Sequence, residues 1–168
     1  VHFLLNDKPA AEATLRQALS VDPHALPALL ALADYYDVVG QSARAETHYQ
    51  QAMEADPENE AVYLHLASHY QRHAKPVDAE ATLQKLVARK PQADTPLIHL
   101  GDYFTALGQP EKALVSYRRA TEVVPSSSNA RDKLIGHYLD TGKIAEAEPL
   151  VNALRDKDKH DLMGRFFD

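Results

Sequence analysis

The chain contains no cysteine, which removes disulfides, thiolate metal sites and cysteine nucleophiles together. Cysteine usage therefore leaves the compartment open, and cytoplasm and bacterial periplasm both fit. No run approaches the roughly 18 to 20 consecutive apolar residues of a membrane-spanning helix, and the longest alanine and leucine stretch, Ala28 to Ala33, sits inside an amphipathic pattern. Direct membrane insertion is not expected. Long blocks of lysine and arginine are missing and the formal net charge is -6, which argues against nucleic acid or an anionic membrane surface as the principal partner. Nothing after Val1 has the charged start, apolar core and small-residue site of a signal peptide.

Catalytic signatures are missing as well. There is no G-x-S-x-G elbow, no phosphate-binding glycine loop and no H-E-x-x-H. The carboxylate pairs Glu58/Glu60 and Glu146/Glu148 fall at polar positions where solvated surface charge is the usual explanation. The expectation is a non-enzymatic chain without a cofactor.

What is present is a period. Pro23, Pro57, Pro91 and Pro125 are each 34 residues apart. Leu32, Leu66, Leu100 and Leu134 repeat at the same step, as do the aromatics Tyr36, Tyr70, Phe104 and Tyr138 and the small residues Ala11, Ala45, Ala79, Ala113 and Ala147. A further column holds Gly40, Gly108 and Gly142, with Asn6 and Ala74 in its other two places. Glycine and asparagine reach the left-handed conformation that ends a helix, so this column marks a turn inside each repeat. Each unit therefore holds two helices. The first complete pair is expected over about Leu26 to Val39 and Ala43 to Glu54, with later pairs offset by the period. Asp94-Thr95-Pro96 offers a polar cap followed by proline, and Pro9, Pro76 and Pro110 stand where the second helix of a pair begins.

These columns resemble the tetratricopeptide repeat family, whose unit is a 34-residue helix-turn-helix. The closest copy is "LIHLGDYF" followed by Gly108, Ala113, Tyr117, Ala120 and Pro125; "LLALADYY" followed by Gly40, Ala45, Tyr49, Ala52 and Pro57 is nearly as close. The resemblance implies an all-α fold, a right-handed superhelical solenoid of antiparallel helix pairs. It divides the chain into a partial repeat (1–22), four repeats (23–57, 58–91, 92–125 and a degenerate 126–160) and the start of a further first helix (161–168). Leu162, Met163, Phe166 and Phe167 begin an apolar pattern that stops early, so the chain is read as a fragment of a longer bacterial member. Departures gather in the fourth repeat: Arg131 stands where a large apolar residue is usual, Lys159 replaces the closing proline, and Pro149 falls within a helix, which should start late, bend or pack less regularly.

His65, His69 and His73 lie four residues apart, the step that stacks side chains on a helix. His65 and His69 could pair on a metal, but no third ligand is evident, and the preferred reading is no metal site. His69 shares a column with Tyr35, Tyr103 and His137, a place for rings that pack while keeping a polar tip wet. By the resemblance, the neighbouring columns line the concave face of the superhelix. They hold Leu30, Leu64 and Ile98; Asp34, Ser68 and Asp102; Asp37; His65 and His99; and Arg72. The implied function is a scaffold that binds a partner peptide or helix there, with the aspartates favouring a partner carrying some positive charge. The lysine, arginine and asparagine set that clamps a C-terminal carboxylate in some members is missing, apart from Lys133 and Asn129. The alternatives are a structural spacer or self-assembling segment of a larger protein, associating through its ends and resembling those of envelope assembly or polysaccharide export, and zinc binding by His65 and His69.

Overall fold

The computed structural model describes the backbone of residues 8–167 and the side chains of residues 10–155. The expected turn residue Asn6 and the apolar side chains of Leu162, Met163, Phe166 and Phe167 lie outside the described residues. Among those described, the chain is all helix: α1 (Lys8–Val21), α2 (Leu26–Val38), α3 (Ser42–Ala55), α4 (Glu60–Arg72), α5 (Pro76–Arg89), α6 (Thr95–Ala106), α7 (Pro110–Val123), α8 (Ser128–Asp140) and α9 (Ile144–Phe167). The periodic columns place these boundaries to within a residue or so from α2 through α8. No described helix is long and apolar enough to cross a membrane. The helices form two compact units, α1–α5 ending at Arg89 and α6–α9 beginning at Lys90.

In the first unit α2 packs on α3 and α4 on α5, with α3 joined to α4. Its core is built from the repeating columns. Leu32, Leu66, Tyr36 and Tyr70 from the first helices meet Ala45, Tyr49, Ala52, Ala79 and Leu86 from the second, all buried. Alanines at the contact let helix axes approach, and the larger rings and leucines fill what remains. The second unit repeats the plan, with α6 on α7, α7 on α8 and α8 on α9. Leu100, Leu134, Phe104 and Tyr138 pack there with Ala113, Ala120 and Ala147.

The turns inside the pairs share one geometry. Gly40, Gly108 and Gly142 have positive φ, and so does Ala74 at +53°. Each is followed by a residue whose N–H bonds back to the carbonyl of the column aromatic: Gln41 to Tyr36, Lys75 to Tyr70, Gln109 to Phe104 and Lys143 to Tyr138. These bonds close the last turn of the first helix and aim the chain into the second.

Three expectations change on contact with the structure. Asp94 makes no side-chain capping bond. Its backbone is helical, at φ -80° and ψ -34°, whereas Asn59 and Ser127 sit in the extended conformation that turns a cap oxygen toward the N–H groups of the first turn. Those two do cap, Asn59 Oδ1 accepting from the Ala61 N–H and Ser127 Oγ from the Ala130 N–H. The proline-bearing helix does not start late: α9 begins at Ile144 and carries Pro149 inside it. It then continues through residues 160 and 161, where a new helix was expected to open, because Lys159 has replaced the proline that closes the other repeats. Arg131 has a local explanation. Its guanidinium donates to the Pro125 carbonyl at 3.1 Å, and Tyr63, two repeats earlier in the same column, donates its hydroxyl to the Pro57 carbonyl at 2.9 Å.

Candidate functional site

In the first unit the last two turns of α2 present Asp34 and Asp37 toward α4, which answers with His65, His69 and Arg72 and, at its C-cap, His73. Asp37 is the hub. One carboxylate oxygen, Oδ1, lies 2.7 Å from His69 Nδ1 and 2.7 Å from His73 Nε2. The other, Oδ2, accepts from Arg72 Nε at 2.9 Å and also from its Nη2. The Asp37 side chain is only 5% exposed. Burial alone would raise its pKa, but the bonds from Arg72, His73 and His69 outweigh that and hold it below the ordinary carboxylate value.

Asp34 is a second, shallower hub. It accepts from the Tyr49 hydroxyl at 2.5 Å and lies 3.2 Å from His65 Nδ1. Tyr49 is fully buried, and burial together with the adjacent carboxylate pushes its hydroxyl far above the ordinary tyrosine value. Two adjoining open pockets result. One of about 530 Å³ is lined by Asp34, Asp37, Val38, Arg72 and His73, and one of about 350 Å³ by Asp34, Leu64, His65, Ser68 and Arg72. Arg72 also reaches the Ser68 hydroxyl at 2.7 Å.

The second unit repeats this motif two periods on. Asp102 accepts from the Tyr117 hydroxyl at 2.7 Å and from Lys133 Nζ at 2.8 Å, so Lys133 takes the role that His65 has on Asp34. Burial and the Asp102 carboxylate push Tyr117 up to about 12. A pocket of about 310 Å³ opens there, lined by Asp102, Tyr117, Lys133 and His137 among others. His137 is buried, its Nε2 has no hydrogen-bond partner, and burial, helped by Lys143, lowers its pKa.

The structure brings Asp34, Asp37, Leu64, His65, Ser68 and Arg72 together around one pair of pockets. Leu30, in the same column as Leu64, is half buried against the core of Leu29, Ala52 and Val62. Ile98 departs from the column: it is 2% exposed and belongs to the core. His99 and Asp102 are half buried on α6 of the second unit. His69 is also corrected. Its ring is completely buried, with Nδ1 on Asp37 and Nε2 3.4 Å from Ser42 Oγ, so no polar tip stays wet. The imagined His65–His69 pair does not form either, since His65 turns to Asp34 and the ring grouped with His69 is His73. Asp34, Asp37 and Asp102 are each hydrogen-bonded from the next first helix, with Asp37 buried and Asp34 and Asp102 still about two-fifths exposed.

Two features were missed in the sequence. One is the convergence of Asp37 with His69 and His73 from the following repeat, which the 34-residue step could have suggested. The other is a pocket of about 750 Å³, lined by Met53, Pro57, Tyr63, Tyr70 and Lys85 among others. It involves both kinds of helix, and single-column reasoning gives no signal for it.

Models of the tetratricopeptide repeat match residues 39–100 and 99–161, together most of the chain. No curated protein matches it by sequence. Among solved structures it is similar to MamA, at 20% identity over 90% of this chain and 89% of that one, with a TM-score of 0.62. MamA from Desulfovibrio magneticus RS-1 is similar at 14% identity over 89% and 84%, with a TM-score of 0.61. A tetratricopeptide repeat protein from Parabacteroides merdae shares 21% identity over 90% of this chain and 60% of that one, with a TM-score of 0.60. These likenesses place the fold in the all-α helical-solenoid class.

Proposed function

The chain belongs to the tetratricopeptide repeat family, whose fold is a scaffold for protein–protein interaction, and from that premise we propose that the α2–α4 face of the first unit binds an extended segment of a partner protein. The observation that carries this is the pair of adjoining pockets sharing Asp34 and Arg72, with Leu64 as an apolar wall and His65, Ser68 and His73 as polar ones. Such a mixture, a small apolar contact with a few placed polar groups, suits a peptide backbone better than a compact hydrophobic ligand.

The partner's chemistry follows from what the site leaves over. Asp37 is buried and paired with Arg72, which leaves the part-exposed Asp34 as the carboxylate open to a partner. Arg72 is about half exposed and commits three of its five N–H groups, to Asp37 and Ser68. A peptide carbonyl or carboxylate is the group that the remaining donors accommodate. The role is that of a non-catalytic adaptor, the ordinary one for this family's fold. Asp102 and His99 on α6 supply a further contact surface on the second unit.

Affinity capture from lysate tests the reading, with the chain as bait beside a His65→Ala/Arg72→Ala double variant of unchanged helicity. Partners captured by the first and lost from the second are expected. Equal capture by both would move the binding surface elsewhere.

A further inference from the structure

Asp37, His69 and His73 bring one carboxylate oxygen and two imidazole nitrogens within 4.8 Å of one another. We infer that these three side chains form a binding site for a divalent transition-metal ion of the zinc class, with one coordination position facing the 530 Å³ pocket. The inference is independent of the peptide reading, since it needs only the first unit and an ion.

The donor set is the first argument. Two imidazoles and a carboxylate are borderline ligands that suit zinc and its neighbours, and three protein ligands are the number that leaves a tetrahedral site open to water or an exchangeable group. His69 lies in the last turn of α4 and His73 is its C-cap four residues on, so both rings leave the same side, with centroids 4.6 Å apart. Asp37 arrives from α2, opposite them. Bonds of about 2.0–2.2 Å in a tetrahedron set ligand atoms roughly 3.3 Å apart. The two nitrogen–oxygen separations of 2.7 Å would open by roughly half an ångström to reach that spacing.

The groups behind the ligands are the second argument. Metal-bound histidines usually fix their other nitrogen, and bound carboxylates their other oxygen, through outer hydrogen bonds. His69 Nε2 faces Ser42 Oγ at 3.4 Å, a hydroxyl able to accept from Nε2–H once an ion displaces the proton that Nδ1 now donates to Asp37. Arg72 occupies Asp37 Oδ2 and leaves Oδ1 pointing at the two rings. The guanidinium opposes a cation, but Asp34 on the same pocket wall brings a second carboxylate, so the fixed charges around the position still favour a dication. His73 is 31% exposed while His69 is fully buried, which provides an entry side and a dry side.

The internal repeat predicts the stoichiometry. Two periods on, the columns of Asp37, His69 and His73 carry Thr105, His137 and Thr141, so the trio occurs once among the described residues. The test is calorimetric titration of the metal-stripped chain with zinc, together with the visible spectrum of added cobalt, on wild type and on His73→Ala, Asp37→Asn and His65→Ala variants. Far-UV circular dichroism confirms that each keeps its helicity. Expected are one ion per chain, tetrahedral cobalt bands in the wild type, binding at least tenfold weaker in His73→Ala and Asp37→Asn, and unchanged binding in His65→Ala. Two results would overturn the site. One is no saturable one-to-one binding in the wild type. The other is His65→Ala weakening binding as much as His73→Ala, which would mark chelation by surface histidines.

Discussion

Replacing Ala74 with glycine should stabilise the protein without touching any contact. Ala74 has φ +53° and fills the turn position that Gly40, Gly108 and Gly142 hold elsewhere. Its hydrogen bonds match theirs: the Ala74 N–H reaches the Gln71 carbonyl at 3.1 Å and the Lys75 N–H the Tyr70 carbonyl at 2.9 Å, against 3.0 and 2.9 Å around Gly108. A Cβ at Gly40, Gly108 or Gly142 would meet nothing within 4 Å, so packing does not decide the choice at those turns. What remains is backbone energy. The left-handed region costs an L-residue about 1–2 kcal/mol, while glycine forfeits about 0.5–1 kcal/mol through the freedom of the unfolded chain. The difference predicts a gain of roughly 0.5–1 kcal/mol for Ala74→Gly and a similar loss for Gly108→Ala. Urea unfolding followed by circular dichroism reads both, with an unchanged slope and a shifted midpoint. A lower midpoint for Ala74→Gly, or no penalty for Gly108→Ala, would refute the claim that these turns are set by backbone conformation alone.

Other outcomes follow from individual contacts. Gly101→Ala should destabilise by about 1–3 kcal/mol, because the new Cβ would lie 2.4 Å from Cε1 of the buried Tyr117; Gly136→Ala, with open space around it, should instead gain up to about 1 kcal/mol of helix propensity, and thermal melts distinguish the two. Asp37→Ala should cost roughly 2–4 kcal/mol in urea unfolding, since it strips the shared acceptor from His69, His73 and Arg72. The Asp37 and Glu46 carboxyls are held below their ordinary values, so the unfolded chain takes up protons first on acidification. Their stabilisation is therefore present above the ordinary carboxylate range and lost as the pH falls through the lowered values. Asp37→Asn should flatten the decline of the urea midpoint between neutral pH and about pH 3, and a decline as steep as wild type would remove Asp37 from that account.

The helix pairs were legible because burial in a repeat is periodic. A residue such as Ala45 is small in the sequence for the same reason that it is buried in the fold, and its copies at Ala79 and Ala113 say so again. Deviations from the columns were harder to read. Leu30, Leu64 and Ile98 share one position, yet only Ile98 is buried, because exposure depends on neighbours that a column does not name. The polar cluster was half visible. The histidine spacing lies along one helix and could be counted, whereas its carboxylate sits 32 residues before His69, on a different helix that only the period connects to it. Asp94 failed as a cap because its backbone is already helical, a conformation that its residue type does not announce.

Asp37 reaches no farther along the chain than His73, a separation of 36 residues, and Asp102 reaches Lys133 at 31. Every polar anchor of a first helix in these hubs is thus supplied by its own pair or by the next one. Such a chain has little loop-closure entropy to overcome before its contacts begin to reward it. Folding can start at any adjacent pair of helix pairs and grow by docking of the next, each step adding both its leucine column and its carboxylate–base contact. Within each unit the order of assembly is then a matter of which pair is locally most stable, rather than of a nucleus that distant parts of the sequence must find together.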